Sequence, residues 1–331
     1  MIRWVLFVVT FLALAAGVFG WLAYRHVHER AHAELSIPKA THVIVEPGDT
    51  VNDVIRELKS RGALNEDWWA RAYVRVAEVG HIQAGEFDLT PGDSLVAVLD
   101  RLARGRVTQH QWTVVPGWTV REMLASLDGT FTSRTPGLSA EGLSLQLTLP
   151  TQHAEGWFLP DTYAYVRGER DLALLNRAHQ AMQEALERHW QGRQPELPLN
   201  TPYELLIAGS LVEKETGHPD DRAFIASVFA RRLQIGMRLQ TDPTVIYGIG
   251  QSFDGNLTRK HLRTPTPYNT YTNHGLPPTP IALPGHDALH AAAHPAESDY
   301  LYFVARGDGT SQFSRTLEEH QAAVRRYQLG R

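Results

Sequence analysis

Three stretches of the chain share one design: VEPGDTVNDVIREL at 45–58, LTPGDSLVAVLDRL at 89–102 and VVPGWTVREMLASL at 114–127. Each places an apolar residue before a Pro-Gly pair, then a hydroxyl residue, then a run with helical periodicity. Proline presets φ for the first position of a turn and glycine accepts positive φ at the next, so Pro47-Gly48, Pro91-Gly92 and Pro116-Gly117 mark turns. Thr50, Ser94 and Thr119 are placed to cap the helices that follow, and Thr119 with Glu122 spells a capping box. The apolar faces recur at i, i+3, i+4, i+7: Val51, Val54, Ile55, Leu58; Leu95, Val98, Leu99, Leu102; Val120, Met123, Leu124, Leu127. The copies are unevenly spaced, whereas a solenoid needs a fixed period. Small αβ modules over 41–128 are therefore expected.

Toward the N-terminus, Trp4 to Tyr24 is an uninterrupted apolar or small-residue run. About 20 such residues cross a hydrocarbon core of about 30 Å. Trp4 at one end and Trp21 with Tyr24 at the other suit the interfacial aromatic belts. The small residues from Ala13 to Gly17 resemble a leader cleavage site, but the run continues through Phe19, Trp21 and Leu22, beyond the length of a secretory leader. An uncleaved span over 4–24 is expected, followed by a polar stalk over 25–40, helical or flexible. Arg3 stands on one side and Arg25 and Arg30 on the other, so charge alone gives little orientation.

Toward the C-terminus, a Ser-, Thr- and Gly-containing loop over 129–150 precedes a helical pattern from Leu172 to Trp190. Two further helices are expected, one from Tyr203 to Thr216 and one opening at Pro219 and stopping at Gly236. Pro-rich loops from Thr264 to Pro284, a helix over Asp287–Ala293 and the strand YLYFVAR complete an α+β arrangement. The 331 residues, 43% hydrophobic and 21% charged, suit globular domains. A net charge of −4 offers no basic face for phosphate, which argues against nucleic acid as partner. The absence of cysteine removes disulfides, thiolate metal sites and cysteine nucleophiles.

Chemistry points to LVEKETG, residues 211–217. At 100° per residue Glu215 shares a face with Ala208, Leu211 and Val212, while Glu213 points about 160° away and is expected to look toward solvent. A carboxyl group in apolar surroundings holds its proton to higher pH, which a general acid at neutral pH requires. Most single glutamates at helix ends are surface charges, so the neighbours decide. Gln240, Thr241 and Asp242 precede a proline in RLQIGMRLQTDPTVIYGIG, residues 232–250. Tyr268, Asn269, Thr270 and Tyr271 follow in TPYNTYTNHGLPP, and EGWFLPDTY groups Glu155, Trp157, Asp161 and Tyr163. Aromatic rings beside amides and hydroxyls suit sugars, whose ring faces stack and whose hydroxyls need partners. Each of these residues also has an ordinary reading as core or turn former.

VEKETG, RLQIGMRLQTDPTVIYGIG, TPYNTYTNHGLPP and EGWFLPDTY together resemble the signature segments of the endolytic murein transglycosylase (YceG-like) family, and the resemblance runs over most of the chain. It implies an inner-membrane protein with a short cytoplasmic end at 1–3, LysM-like modules at 41–128 and a periplasmic catalytic domain at 129–331. It further implies endolytic cleavage of nascent peptidoglycan strands to leave 1,6-anhydro-N-acetylmuramic acid ends, with no cofactor, and association with peptidoglycan synthases. The family's catalytic glutamate falls on Glu215. Gln240, Thr241, Asp242, Tyr268, Asn269, Tyr271, Trp157 and Asp161 are the expected substrate-binding residues, and Asp242 is the candidate second carboxylate if the reaction is hydrolytic. The chain departs from the usual family loop at Thr279 and Leu283. Two other classes remain open from residues alone: a wall-binding scaffold without activity, and a metal hydrolase built on His286, His290 and His294, which recur every four residues but carry no HExxH signature.

Overall fold

The apolar stripes of the repeated stretches become buried faces in the computed structural model, which describes residues 2–330. Met1 and Arg331, the ends of the expected cytoplasmic segment and catalytic domain, lie outside the described residues. Two compact units are present. The first runs to His110 and is joined by Val166–Gly168; the second comprises Gln111–Tyr165 and the chain from Glu169.

Unit 1 contains α1 (Ile2–His32), β1 (Thr41–Val45), α2 (Val51–Ser60), α3 (Trp68–Val76), β2 (Gly85–Leu89) and α4 (Leu95–Ala103). β1 and β2 are antiparallel, from Thr41 opposite Leu89 to Val45 opposite Gly85. Val43 and Val45 of β1 meet Phe87 and Leu89 of β2, and the helix faces Val51, Val54, Ile55, Leu58 and Leu95, Val98, Leu99, Leu102 close over them. Each fully buried Val, Ile or Leu contributes about 1.5–3 kcal/mol of transfer free energy. Gly48, Gly92 and Gly117 all adopt positive φ, as the Pro-Gly turns require. Ser94 Oγ accepts the Ala97 N–H at 3.2 Å, and Thr50 N–H donates to Asp53 at 2.8 Å.

α1 is long and apolar enough to cross a membrane, and its apolar window is unburied. Of the two forms open for the stalk, its first part takes the helical one. The helix continues to His32, Ala31 is fully buried, Leu35 and Ile37 enter the unit 1 core, and Leu35 N–H donates to Asp93 O at 2.8 Å.

Unit 2 begins within β3 (Gln109–Thr113) and continues through α5 (Val120–Ser126), α6 (Leu143–Gln146), β4 (Thr162–Val166), α7 (Asp171–Gln191), α8 (Pro202–Glu215), α9 (Pro219–Gln234), α10 (Asp242–Ile249), α11 (Arg259–Arg263), α12 (His286–Ala293), β5 (Tyr302–Ala305), β6 (Ser311–Ser314) and α13 (Leu317–Tyr327). β3 pairs with β4, and β5 with β6 in an antiparallel hairpin. α8 is the central helix, with α7, α9 and α12 packed around it. The third strand–turn–helix copy does not belong with the first two. Val114, Val120, Met123 and Leu127 sit in the unit 2 core beside Trp157, Phe158 and Leu283, so the boundary falls at His110 rather than at residue 128. The copy is locally alike, but its apolar face is matched to different neighbours.

Candidate active site

α8 is fixed at both ends. Thr201 caps it, accepting the Glu204 N–H at 3.2 Å, and Pro202 occupies the first turn where its missing N–H costs nothing. Leu205 to Val212 are all buried, so the helix is enclosed on every side. Gly209 lets α12 approach, since a Cβ there would meet Leu289 Cδ2 at 2.9 Å. The helix stops at Glu215 because Thr216 is extended, and Thr216 Oγ1 then accepts the His218 N–H at 2.9 Å, turning the chain into α9.

The two glutamates of the helix end have distinct surroundings. Glu213 does not face solvent as its helical phase suggests. Its side chain is 7% exposed, and Oε2 accepts the Gly285 N–H at 2.9 Å, with the Arg222 guanidinium 3.9 Å away. It thus supplies an anionic acceptor at the start of α12. The reason is tertiary: α12 covers the flank of α8 that the single-helix projection assigned to water.

Glu215 is partly buried, and the hydroxyl of Thr241 donates to its Oε1. Burial pushes its carboxyl up to about 7 from an ordinary 4.5; the Thr241 hydrogen bond opposes this, the nearby Asp242 charge adds to it, and Arg232 opposes it. Thr241 is held by its neighbours. Its N–H donates to Thr270 Oγ1 at 3.0 Å, and its carbonyl accepts from Thr244 Oγ1 at 2.7 Å, with Thr244 and Thr270 hydroxyls 2.9 Å apart. Just before it, Gln240 holds φ +50, a left-handed conformation uncommon for a residue with a side chain, with its N–H on Thr270 O at 3.2 Å. Asp242 is exposed and accepts the Tyr271 hydroxyl at 2.5 Å. Gln240, Thr241, Asp242, Thr270 and Tyr271 therefore gather with Glu215.

The other expected residues are engaged with different partners. Asn269 is fully buried, and its amide donates to the carbonyls of His261, Leu262 and Thr264 while its oxygen accepts the Tyr271 N–H. It shapes the loop that presents Thr270 and Tyr271. Trp157 is 5% exposed, stacked on Tyr203 with ring centroids 5.8 Å apart, its indole N–H on Thr151. Asp161 is exposed at the start of β4, its carboxylate on the Thr162 N–H and its carbonyl on Val114 N–H. Tyr268 packs edge-on against Tyr247 at 4.9 Å and meets the Thr279 hydroxyl at 3.0 Å. Thr279 and Leu283, the two departures in the loop, are both buried, Thr279 against Tyr268 and Leu283 in the main core.

Arg232 and Tyr247 are the residues that the sequence did not single out. Arg232 is 7% exposed and donates to the carbonyls of Leu301, Arg238 and Leu239. Its partners are backbone carbonyls, two of them six and seven residues on and one far along the chain, which no side-chain pattern reveals. The Tyr247 hydroxyl donates to Glu155 Oε2 at 3.0 Å, and Val120 N–H donates to Glu155 Oε1 at 2.9 Å. Glu155 is 8% exposed and is likewise pushed up to about 7, chiefly by burial. The histidines of α12 approach His189 of α7, with His286 and His189 rings 5.8 Å apart and His290 and His294 rings 4.6 Å apart. Among the described residues no group of three His, Asp or Glu has a metal-holding arrangement.

A carboxyl group pushed up to about 7, at a helix end beside hydroxyls and a tyrosine, has the chemistry that general acid/base proton transfer requires. The YceG-like family model matches residues 43–326, and the chain belongs to that family. It is 31% identical over 307 residues to the endolytic murein transglycosylase of Bacillus subtilis (strain 168), covering 86% of this chain and 84% of that protein. It is 26% identical over 362 residues to the endolytic murein transglycosylase of Streptococcus pneumoniae serotype 2, covering 96% of this chain and 64% of that one. A solved yceG-like protein of Listeria monocytogenes aligns with a TM-score of 0.55 and 27% identity, over 86% of this chain and 99% of that one.

Proposed function

We propose that this protein is an endolytic lytic transglycosylase of peptidoglycan, anchored by α1 as a single-pass span of the inner membrane, with both folded units on the periplasmic side. Glu215 is its acid and base. The observation that carries the reading is a glutamic acid pushed up to about 7 inside the segments that match a family of murein transglycosylases.

The protonated Glu215 gives its proton to the oxygen joining N-acetylmuramic acid to the following sugar, and the C1–O bond breaks as positive charge develops on the muramoyl ring. The C6 hydroxyl of the same ring then bonds to C1, and its proton passes to the Glu215 carboxylate. No water is consumed, and Glu215 ends as it began. A glycosidase that hydrolyses needs a second carboxyl group, whereas here the substrate supplies the nucleophile. The Thr241 hydroxyl supports the ionised carboxylate between the two steps. Gln240, Asp242 and Tyr271, grouped at the same helix end, are the proposed sugar contacts. Unit 1 is read as a LysM-like glycan-binding module, supported by the strand–helix–helix–strand order of β1, α2, α3 and β2 with its antiparallel pair. Association with wall synthases is a proposal from the family resemblance alone.

The test is mass spectrometry of fragments released from glycan strands by the detergent-solubilised chain and by Glu215→Gln. The wild type is expected to generate 1,6-anhydro ends and the variant none, with both folded alike by circular dichroism. Cleavage retained in Glu215→Gln would refute the assignment. Reducing ends would mean hydrolysis, and binding without products would mean a scaffold.

A further inference from the structure

Unit 1 hangs on the apolar helix without a linker. α1 is unbroken from Ile2 to His32, its last turns pack into unit 1 through Val27 and Ala31, Leu35 just beyond it enters the same core, and the apolar run ends at Tyr24 inside the helix. α3 runs alongside this extension in the same direction. Trp68, its first residue, stacks on His26 with ring centroids 6.3 Å apart and an interplanar angle of 16°. Tyr73, further along α3, lies 6.3 Å from the rings of both His28 and His32.

These contacts fix a height. At 1.5 Å per residue, His26 is about 3 Å beyond Tyr24 along the helix axis. The headgroup layer on each side of the hydrocarbon core is roughly 5–8 Å deep. With α1 crossing a bilayer, Trp68 falls inside that layer. It is also suited to that depth: its side chain is 53% exposed, and its indole N–H is satisfied by Glu66 Oε2 at 3.0 Å. An amphipathic ring with a partnered N–H is the chemistry of membrane interfaces.

We propose that the first turn of α3, centred on Trp68, is a second membrane contact that docks unit 1 on the phospholipid headgroup layer and sets its rotation about α1. The inference rests on α1 being a membrane span. Because α1 is rigidly continuous with unit 1, one contact beside the helix suffices to stop the unit from turning freely. The glycan-binding module is then held against the bilayer, where newly made strands emerge from membrane-bound precursors if the proposed function is right.

The chain has no cysteine, so a single nitroxide label can be introduced cleanly. Phe11→Cys, Trp68→Cys and Val76→Cys are each labelled in the full chain, reconstituted in phosphatidylethanolamine–phosphatidylglycerol vesicles, and compared by electron paramagnetic resonance for collisions with oxygen and with an aqueous nickel chelate. Val76 is 61% exposed and stands about 12 Å further along α3. The label at 11 is expected deep in the bilayer, that at 68 shielded several-fold from nickel, and that at 76 in water. A label at 68 as open to nickel as that at 76, with 11 buried, overturns the docking surface. A label at 11 in water overturns the span itself, and the docking surface with it.

Discussion

The hydroxyl of Thr241 offers a direct way to move the titration of Glu215 without touching the acid. Thr241 donates to Glu215 Oε1, and this bond favours the ionised carboxylate. Thr241→Val keeps the volume of a residue that is 2% exposed and removes only the hydroxyl. Hydrogen bonds to charged groups contribute about 1.5–3 kcal/mol net, and about 1.4 kcal/mol corresponds to one pH unit of titration. The ionised form loses that support, so the carboxyl should hold its proton about one to two pH units higher. If Glu215 acts as general acid, activity in the wild type declines as pH rises through about 7. In Thr241→Val that decline should shift upward by the stated amount. The assay is the pH dependence of kcat/KM for release of glycan fragments, measured from pH 5 to 10. An unmoved or lowered alkaline limb in a folded Thr241→Val would mean that another group controls the profile.

Glu155 is the second buried acid, and its raised titration makes the fold most stable when it is protonated. Its stabilising contribution is complete below 4.5 and is lost as pH rises through about 7, a span corresponding to about 3 kcal/mol. Glu155→Gln imitates the protonated acid, so denaturant unfolding between pH 5 and 8 should lose a correspondingly large part of its pH dependence; an unchanged slope would exclude this group. Asn269→Ala leaves the carbonyls of His261, Leu262 and Thr264 without their shared donor. A loss of about 2–4 kcal/mol in chemical denaturation is expected, and a loss under half of one would show that the loop is held by other means. Glu213→Ala removes the acceptor of the Gly285 N–H and a partner of Arg222. It should cost about 1–2 kcal/mol, read as a lowered Tm, and an unchanged Tm would contradict the packing of α12 on α8.

Local order was legible from residues three or four apart. The Pro-Gly turns, the caps at Ser94 and Thr119, and the stripes on α2, α4 and α5 needed only sequence spacing, and the ends of α7, α8, α9 and α12 fall within a few residues of the expected positions. What failed depended on partners remote in sequence. Glu213 was assigned to solvent because a helix wheel does not contain α12. The third repeat was grouped with its two look-alikes because the same stripe can close over either core. Trp157 and Asn269 carry the chemistry of groove residues, but an indole inside the core and an amide spent on loop carbonyls have that chemistry too. The Gln240–Asp242 and Thr270–Tyr271 segments were found together because both combine short polar residues with prolines that stiffen the chain. Arg232 was missed because its partners are backbone oxygens.

The placement of the two carboxylates nearest the site follows one electrostatic logic. Glu215 closes α8, where unpaired carbonyls make negative charge unfavourable; this acts in the same sense as the burial that dominates its shift. Asp242 opens α10 and accepts the Tyr271 hydroxyl. The buried acid thus sits at the C-terminal end of one helix and its exposed neighbour at the N-terminal end of another. With Glu215 as the proposed acid, burial and the helix end act in the same sense on its proton, and the Thr241 hydroxyl opposes them.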